Sequence, residues 1–523
     1  MSLLIFIKVL AKLWRLGLLR MRPGTAWKVY RAWRTCAQSF ALLAEIAAVR
    51  FGSAVALRDD DGCLTFAELR TAYETLARRL IDEFGAAPGH QVLIIERNHR
   101  TFIVALLATA RAGMGILLAN PDSPPKVIDQ ILSSHPVDIV LHGEGIALGT
   151  VAKTLRRLAL VSSEPLRSSN TPLPRLRQAG RLVILTSGST AAPKRISRNP
   201  TLTSLLPTVL GLLESLPVAM HQPTVLAVPI FHGHGLATLG MAMAFASPLH
   251  LGRKYEVAPL LTRDPSLRDA FVVSVPTLLK RWMASGATTG SVAAVVSGSA
   301  PLDERLSMQL IATLGPVLYN LYGSSEAGLI SLASPEMLST APGTVGHPLP
   351  GTEVRIVKWG KQSDAQSGHQ PAPSVTLGRI FVRGPLVLRA DADGWFDTGD
   401  IGRIDNAQHL YVCGRSDGMF VSGGENVYPQ EVEACLLSHP VINEAAITVI
   451  PDPEFGHRMR AFVVLHPGED VTGEAIRDWL KARIDRCKIP KSIETLPALP
   501  RNPLGKIDRL ALREIPMTIG TPP

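Results

Sequence analysis

Thr186-Ser187-Gly188-Ser189-Thr190-Ala191-Ala192-Pro193-Lys194 follows directly on the apolar run Leu182-Val183-Ile184-Leu185. Such a run reads as a short buried strand, and what leaves it is a string of small hydroxyl and glycine residues closed by a lysine. Glycine lets a backbone approach a ligand closely, loop N–H groups and hydroxyls donate to phosphate oxygens, and an ammonium neutralises their charge. The stretch therefore predicts a nucleotide-phosphate loop at the end of a strand, with an ordinary surface loop as the competing account. It is not the G-x-x-x-x-G-K-[ST] loop, since no glycine precedes Lys194 and no Ser or Thr follows it, so a GTPase-like or kinase-like site is excluded.

Outward from this strand the pattern repeats. Val92 to Ile95, Gly115 to Leu118, Val137 to Leu141, Val225 to Val228 and Ala293 to Val296 read as further strands, and Phe102 to Ala112 and Asp303 to Thr313 as helices. Alternation of this kind predicts an α/β fold with parallel sheets. Ser162 to Arg181 and Gly360 to Thr376 are rich in polar residues and Pro or Gly and read as exposed loops. Past Trp395 the texture changes to short strands and hairpins. After Arg415 comes a compact α+β pattern, with helices over Gln430 to Leu437 and Gly473 to Arg486 and strands over Ala445 to Ile450 and Ala461 to Leu465. The division is a segment 1–40, a large domain 41–415 and a small domain 416–523.

A chain of 523 residues is longer than one core usually supports, and 46% hydrophobic with 19% charged residues suits buried sheet rather than disorder. Cys36, Cys63, Cys413, Cys435 and Cys487 lie far apart with no metal-ligand or C-x-x-C spacing, so they read as small buried hydrophobes in a reducing cytoplasm. The net charge of +10 is concentrated at one end: Lys8, Lys12, Arg15, Arg20, Arg22, Lys28, Arg31 and Arg34 precede the first acid, Glu45. On a helical wheel Lys8, Lys12, Arg15 and Arg22 share one stripe among Leu, Ile, Phe and Trp. The charges come too early for a spanning helix, and Trp14, Trp27 and Trp33 suit a headgroup region. Residues 1–40 are thus expected to sit peripherally on an anionic membrane at its inner face, against the alternative of a helix docked on the core; nucleic acid is not expected as a partner. Gly235 to Gly252 carries no formal charge, but Pro248 and His250 and its place between strands make it a buried helix rather than a span.

Taken in order, the 186–194 loop, Tyr322-Gly323-Ser324-Ser325-Glu326, Trp395-Phe396-Asp397-Thr398-Gly399-Asp400, Gly414-Arg415-Ser416-Asp417 and Pro500-Arg501-Asn502-Pro503-Leu504-Gly505-Lys506 form a set. It resembles the acyl-adenylate-forming superfamily of acyl-CoA synthetases, peptide adenylation domains and luciferases over roughly residues 45 to 515. The resemblance implies a small β-barrel-like part in the large domain, a mobile small domain, and ATP, Mg2+ and coenzyme A as cofactors. It also implies roles. Lys506 would bridge carboxylate and α-phosphate, and Glu326 would hold magnesium with the Thr186 hydroxyl nearby. Ser187, Gly188, Ser189, Thr190 and Lys194 would hold phosphate. Tyr322, beside Gly323, would stack on adenine against Gly298, Ser299, Ala300 and Pro301, while Asp400 would accept from the ribose with Arg415 assisting. His232 aligns with a gate beside the carboxylate site, and His234 is a weaker candidate. Asp417 would be the hinge, and Gly423 and Gly424 in Ser422-Gly423-Gly424-Glu425-Asn426-Val427-Tyr428-Pro429 would border the CoA channel.

Four positions depart from the family pattern: Ala191 and Arg195 where glycine is usual, Gly418 where an acid often follows the hinge, and Leu504 where Ser or Thr often precedes Gly505. None removes a group assigned above. The expected reaction is activation of a fatty acid as acyl-AMP and its transfer to CoA. Aryl-CoA ligase and acyl-AMP ligase serving a carrier protein are the enzymatic alternatives, and an idle nucleotide-binding membrane protein is the non-enzymatic one.

Overall fold

A computed structural model describes residues 11–161, 171–186, 194–198, 202–264, 267–287, 291–302, 304–358, 378–388, 390–415, 420–422, 425–427, 429–500 and 507–516. Within them Leu182–Thr186 joins a six-stranded sheet beside Gly115–Ala119, and Lys194–Arg198 returns antiparallel to it with Thr186 opposite Lys194. Residues 187–193 between these two strands lie outside the described residues. Arg156–Leu160, Ile139–Gly143, Gln91–Ile95 and Gly115–Ala119 complete that sheet in parallel. The all-apolar strand cores of Val92–Ile95 and Gly115–Ala119 reflect cover on both faces.

A second, nine-stranded sheet runs His347–Pro348, Gly328–Ala333, Leu318–Ser324, Val292–Gly298, Ala270–Ser274, Thr224–Leu226, Leu249–His250, Val55–Asp59, Gly62–Thr65. Its middle is parallel and its flanks antiparallel. One core fills the space between the two large sheets, with Phe66, Tyr73, Phe102 and Phe271 among its largest members. The uncharged 235–252 stretch is the helix Gly233–Ala244 followed by strand Leu249–His250, packed in that core as expected. Among the described residues no helix is long and apolar enough to cross a membrane.

The small β part is a four-stranded antiparallel sheet of Glu353–Lys358, Gly378–Arg383, Phe396–Ile404 and Leu410–Arg415. The next strand, Phe420–Ser422, belongs to another sheet with Glu425–Val427, Gly456–Leu465, Ile442–Asp452 and Ser492–Thr495. One face of this last sheet carries the helices Pro429–Leu437 and Gly473–Lys481 through Val432, Leu436, Ile476 and Leu480. The opposite face packs Ala446 and Phe462 on Leu499, Ile507 and Leu512.

Two expectations need correction. The helix foreseen to Arg486 stops at Lys481, because the chain turns there to send Asp485 to Ser123 of the large domain and to bury Lys488 against Glu431. Of the five cysteines, all free, only Cys36 is buried. Cys63 sits on the edge strand Gly62–Thr65, whose outer positions have no layer over them.

Candidate active site

Ligands of open α/β sheets bind beyond the carboxyl ends of the strands. Here Thr224–Leu226 leads to His232 and His234, Val292–Gly298 to Ser299, Ala300 and Pro301, and Leu318–Ser324 carries Tyr322 and Gly323 at its end. Asp400 arrives from the small antiparallel sheet. All eight residues line one cavity of about 2510 Å³. Ser299 holds φ +66°, a left-handed conformation that costs a non-glycine residue about 1–3 kcal/mol and persists only where surroundings enforce it. Its Oγ shares a hydrogen bond of 3.3 Å with His234 Nδ1. A Cβ on Gly323 would stand 2.4 Å from the Gly328 carbonyl oxygen, so the glycine is what lets these two antiparallel strands close beside Tyr322.

The Tyr322 hydroxyl donates to Asp400 Oδ2 at 2.5 Å. Asp400 is buried and its backbone N–H donates to Thr398 Oγ1 at 3.1 Å, so the carboxylate is fixed at both ends of its residue. Across the sheet Asp400 pairs with Arg415, which brings those two expected nucleotide contacts into register.

The small domain reaches the same cavity. His232 Nε2 donates to Glu425 Oε1 at 2.8 Å. Burial works against the charged imidazole, but the adjacent carboxylate outweighs it and the His232 pKa is raised. Burial likewise opposes the Glu425 carboxylate, and the His232 charge overrides it to leave that pKa lowered. His234 lies deep in the cavity, and loss of hydration together with the His232 charge pushes its pKa down to about 4, so it is neutral at physiological pH. Further out, Ser123 Oγ donates to Asp485 Oδ1 at 2.7 Å. Lys488, buried, donates to Glu431 at 2.8 Å and stands 3.4 Å from Asp485. Lys280 donates to the Pro453 carbonyl, and Arg281 Nε to Glu454 at 2.9 Å.

The other expected residues fall as follows. Glu326 is half-buried in the turn beyond Leu318–Ser324, where its carbonyl accepts from Leu388 N at 3.0 Å; the described cavity lining includes Ser324 and Ser325 but not Glu326. Thr186, Lys194 and Arg415 are placed as strand backbone. Ser187, Gly188, Ser189, Thr190, Asp417, Gly423, Gly424 and Lys506 lie outside the described residues. Ile507, next after Lys506, packs into a cluster none of whose members lines the cavity.

Compared with known proteins, residues 44–390 match the family described as AMP-binding enzyme, and residues 431–506 match the AMP-binding enzyme C-terminal domain. The chain belongs to the AMP-binding enzyme family. It is 28% identical over 480 residues to feruloyl-CoA synthase of Amycolatopsis sp, covering 87% of this chain and 94% of that relative. With 2-succinylbenzoate--CoA ligase of Geobacillus kaustophilus it shares 29% over 480 residues, 88% and 95% of the two chains. The solved o-succinylbenzoate CoA synthetase of Bacillus subtilis, bound with its product analogue OSB-NCoA, superposes with TM-score 0.78 at 25% identity, covering 90% of this chain and 98% of that one. ATP, Mg2+ and CoA are the cofactors of an AMP-binding CoA ligase of this kind.

The residues present fit those cofactors. Magnesium on nucleotide phosphates needs only one or two protein carboxylates, since phosphate and water supply the rest. Among the described residues no group of three His, Cys, Asp or Glu could hold a metal by itself. Sequence reasoning missed Ser123, Asp485, Lys488, Arg281 and Glu454, and it named Glu425 only within a glycine-rich string. Ser123 and Asp485, and Arg281 and Glu454, gain their roles from a partner in the other domain, while Lys488 gains its role from Glu431 and Asp485 within the small domain. The local signal was a helix-breaking turn after Lys481.

Proposed function

We propose that this protein is an AMP-forming carboxylic acid–CoA ligase whose acid is aromatic. In the first step a carboxylate oxygen attacks the α-phosphorus of ATP and pyrophosphate leaves; in the second the CoA sulfur attacks the acyl carbon and AMP leaves. Tyr322 and the Ser299–Pro301 wall would hold adenine, while Asp400, fixed by Tyr322, would accept from the ribose. Bound magnesium supplies charge neutralisation on the phosphates. Lys506 would stabilise the charge that develops between carboxylate and α-phosphate, where preorganised cations contribute most.

The observation that carries this reading is that one cavity gathers the adenine wall, the Asp400 carboxylate and the cross-domain pair His232–Glu425. On the small domain Phe420 and Glu425 line the cavity, whereas the cluster holding Ile507 contributes no residue to it. That orientation suits thioester formation, and a rotation at Asp417 would bring Lys506 in for adenylation. Relatives named for feruloyl and 2-succinylbenzoate substrates support the aromatic acid. A fatty acid is the second reading, favoured because the cavity lining also includes the apolar Phe231, Ile184, Phe40 and Trp33. Retention of Lys506 and Glu326 speaks against an idle nucleotide binder.

The test is CoA thioester formation across a panel of ring-bearing and straight-chain acids with ATP and magnesium. Thioester with aromatic acids and little with alkanoic acids supports the first reading, the reverse supports the second, and AMP release with no thioester contradicts a CoA acceptor.

A further inference from the structure

The N-terminal segment is both docked and exposed. Helix Pro23–Cys36 buries Ala32 and Cys36 beside Leu42, and Leu13, Leu16 and Leu18 pack on the main core. The Arg50 guanidinium donates to the carbonyls of Leu18 at 2.7 Å, Gly17 at 2.9 Å and Arg20 at 3.3 Å, tying the segment to the body. The outer face is of another kind. Trp27 is 66% exposed, Trp14 56%, Trp33 50% and Tyr30 48%, and among the described residues no other aromatic side chain is exposed to that degree. Trp27, Tyr30 and Trp33 form a ladder with ring centroids 5.6 and 6.3 Å apart. Around it Arg15, Arg20, Arg22, Lys28, Arg31 and Arg34 are exposed, and none is paired with a carboxylate among the described residues.

An exposed apolar ladder ringed by unpaired cations finds its complement in one kind of surface. Aromatic rings that are apolar in body and polar at the rim settle at the headgroup level, and lipid phosphates neutralise the cations. Trp33 and Arg34 also line the cavity, whose lining includes Phe40, Leu43, Ile184, Phe231 and His232. We infer that this face seats on an anionic lipid bilayer and that a lipophilic carboxylic acid passes from the bilayer into the cavity at Trp33 and Arg34. The access route rests on the ligase reading; the docking does not.

The experiment uses the full chain and sedimentation with phosphatidylcholine vesicles, with and without one third phosphatidylglycerol. Binding is expected only with the anionic lipid. Lys28→Glu/Arg31→Glu should weaken it at least about 30-fold, at about fivefold for each basic residue lost near the surface before the added repulsion of the new carboxylates. Trp27→Ser/Tyr30→Ser should abolish it, and half-molar salt should weaken it because surface charge is then screened within a few ångströms. These four side chains do not line the cavity, so turnover of a water-soluble short acid should match wild type in both variants. With a bilayer-held acid, wild type should turn over at least tenfold faster than either variant. Wild type remaining in the supernatant with anionic vesicles, or binding unchanged in both variants, overturns the docking. Equal rates on bilayer-held acid with docking intact in wild type alone overturn the access route. Vesicle binding with no turnover of any acid would overturn the ligase reading and leave the docking standing.

Discussion

Glu425→Gln tests how the two domains are held for the second half-reaction. The substitution keeps shape and removes charge from the partner of His232, at 2.8 Å across the domain joint. His232 and Glu425 side chains are 32% and 30% exposed, so the pair is partly desolvated. A hydrogen bond to a charged group contributes about 1.5–3 kcal/mol, and exposed ion pairs about 0–1, which puts this contact at about 1–2 kcal/mol. At 1.4 kcal/mol per decade, the population in this orientation should fall roughly 5- to 30-fold. Pyrophosphate exchange, which reads adenylation alone, should stay within about twofold. Single-turnover thioester formation from preformed acyl-adenylate should slow by the full factor. The pH dependence has a defined sign. His232 is raised, so its contribution is complete below the ordinary histidine range and is lost as pH climbs through the raised value. Glu425 is lowered, so its contribution is complete above the ordinary carboxylate range and is lost as pH falls through the lowered value. Wild-type thioester formation should therefore persist to higher pH than in Glu425→Gln. Equal slowing of both half-reactions, or an unshifted alkaline limb, would refute the reasoning.

Three further outcomes are expected. Lys506→Ala should cut pyrophosphate exchange by roughly 10²- to 10³-fold, with ATP affinity by calorimetry nearly unchanged, as for loss of one donor aimed at developing charge. Asp417→Pro should spare pyrophosphate exchange yet stop thioester formation, or the reverse, because proline fixes φ and holds a hinge in one state; parallel loss with a lowered Tm would make residue 417 a folding position. Tyr322→Phe should raise the ATP KM about tenfold or more with kcat little altered, since Asp400 loses a donor worth about 1.5–3 kcal/mol while the ring remains.

The sheets were legible because their strands are local statements. Val92 to Ile95 and Leu182 to Leu185 are apolar on both faces, which only a covered parallel strand tolerates. The motif residues Tyr322, Asp400 and Ser299 were legible through resemblance, and the fold brings them to one cavity. Their mutual geometry was not, because the Tyr322–Asp400 bond and the φ of Ser299 depend on how two sheets meet. The cross-domain contacts were hidden for the same reason. Nothing around Asp485 announces that Ser123 will meet it, and Lys488 in isolation is an ordinary surface lysine rather than a buried one between two carboxylates. The N-terminal segment was posed as either membrane-facing or docked, whereas a helix has two faces and this one docks Ala32 and Cys36 while exposing Trp27 and Tyr30.

The central claim is that a carboxylate oxygen attacks the α-phosphorus of ATP and leaves with AMP when the CoA sulfur takes the acyl group. It is tested most directly by supplying the acid with both carboxyl oxygens as 18O and weighing the products by mass spectrometry after one turnover. The account predicts one 18O in AMP, one retained in the thioester carbonyl and none in pyrophosphate. Unlabelled AMP, or label in pyrophosphate, would contradict it.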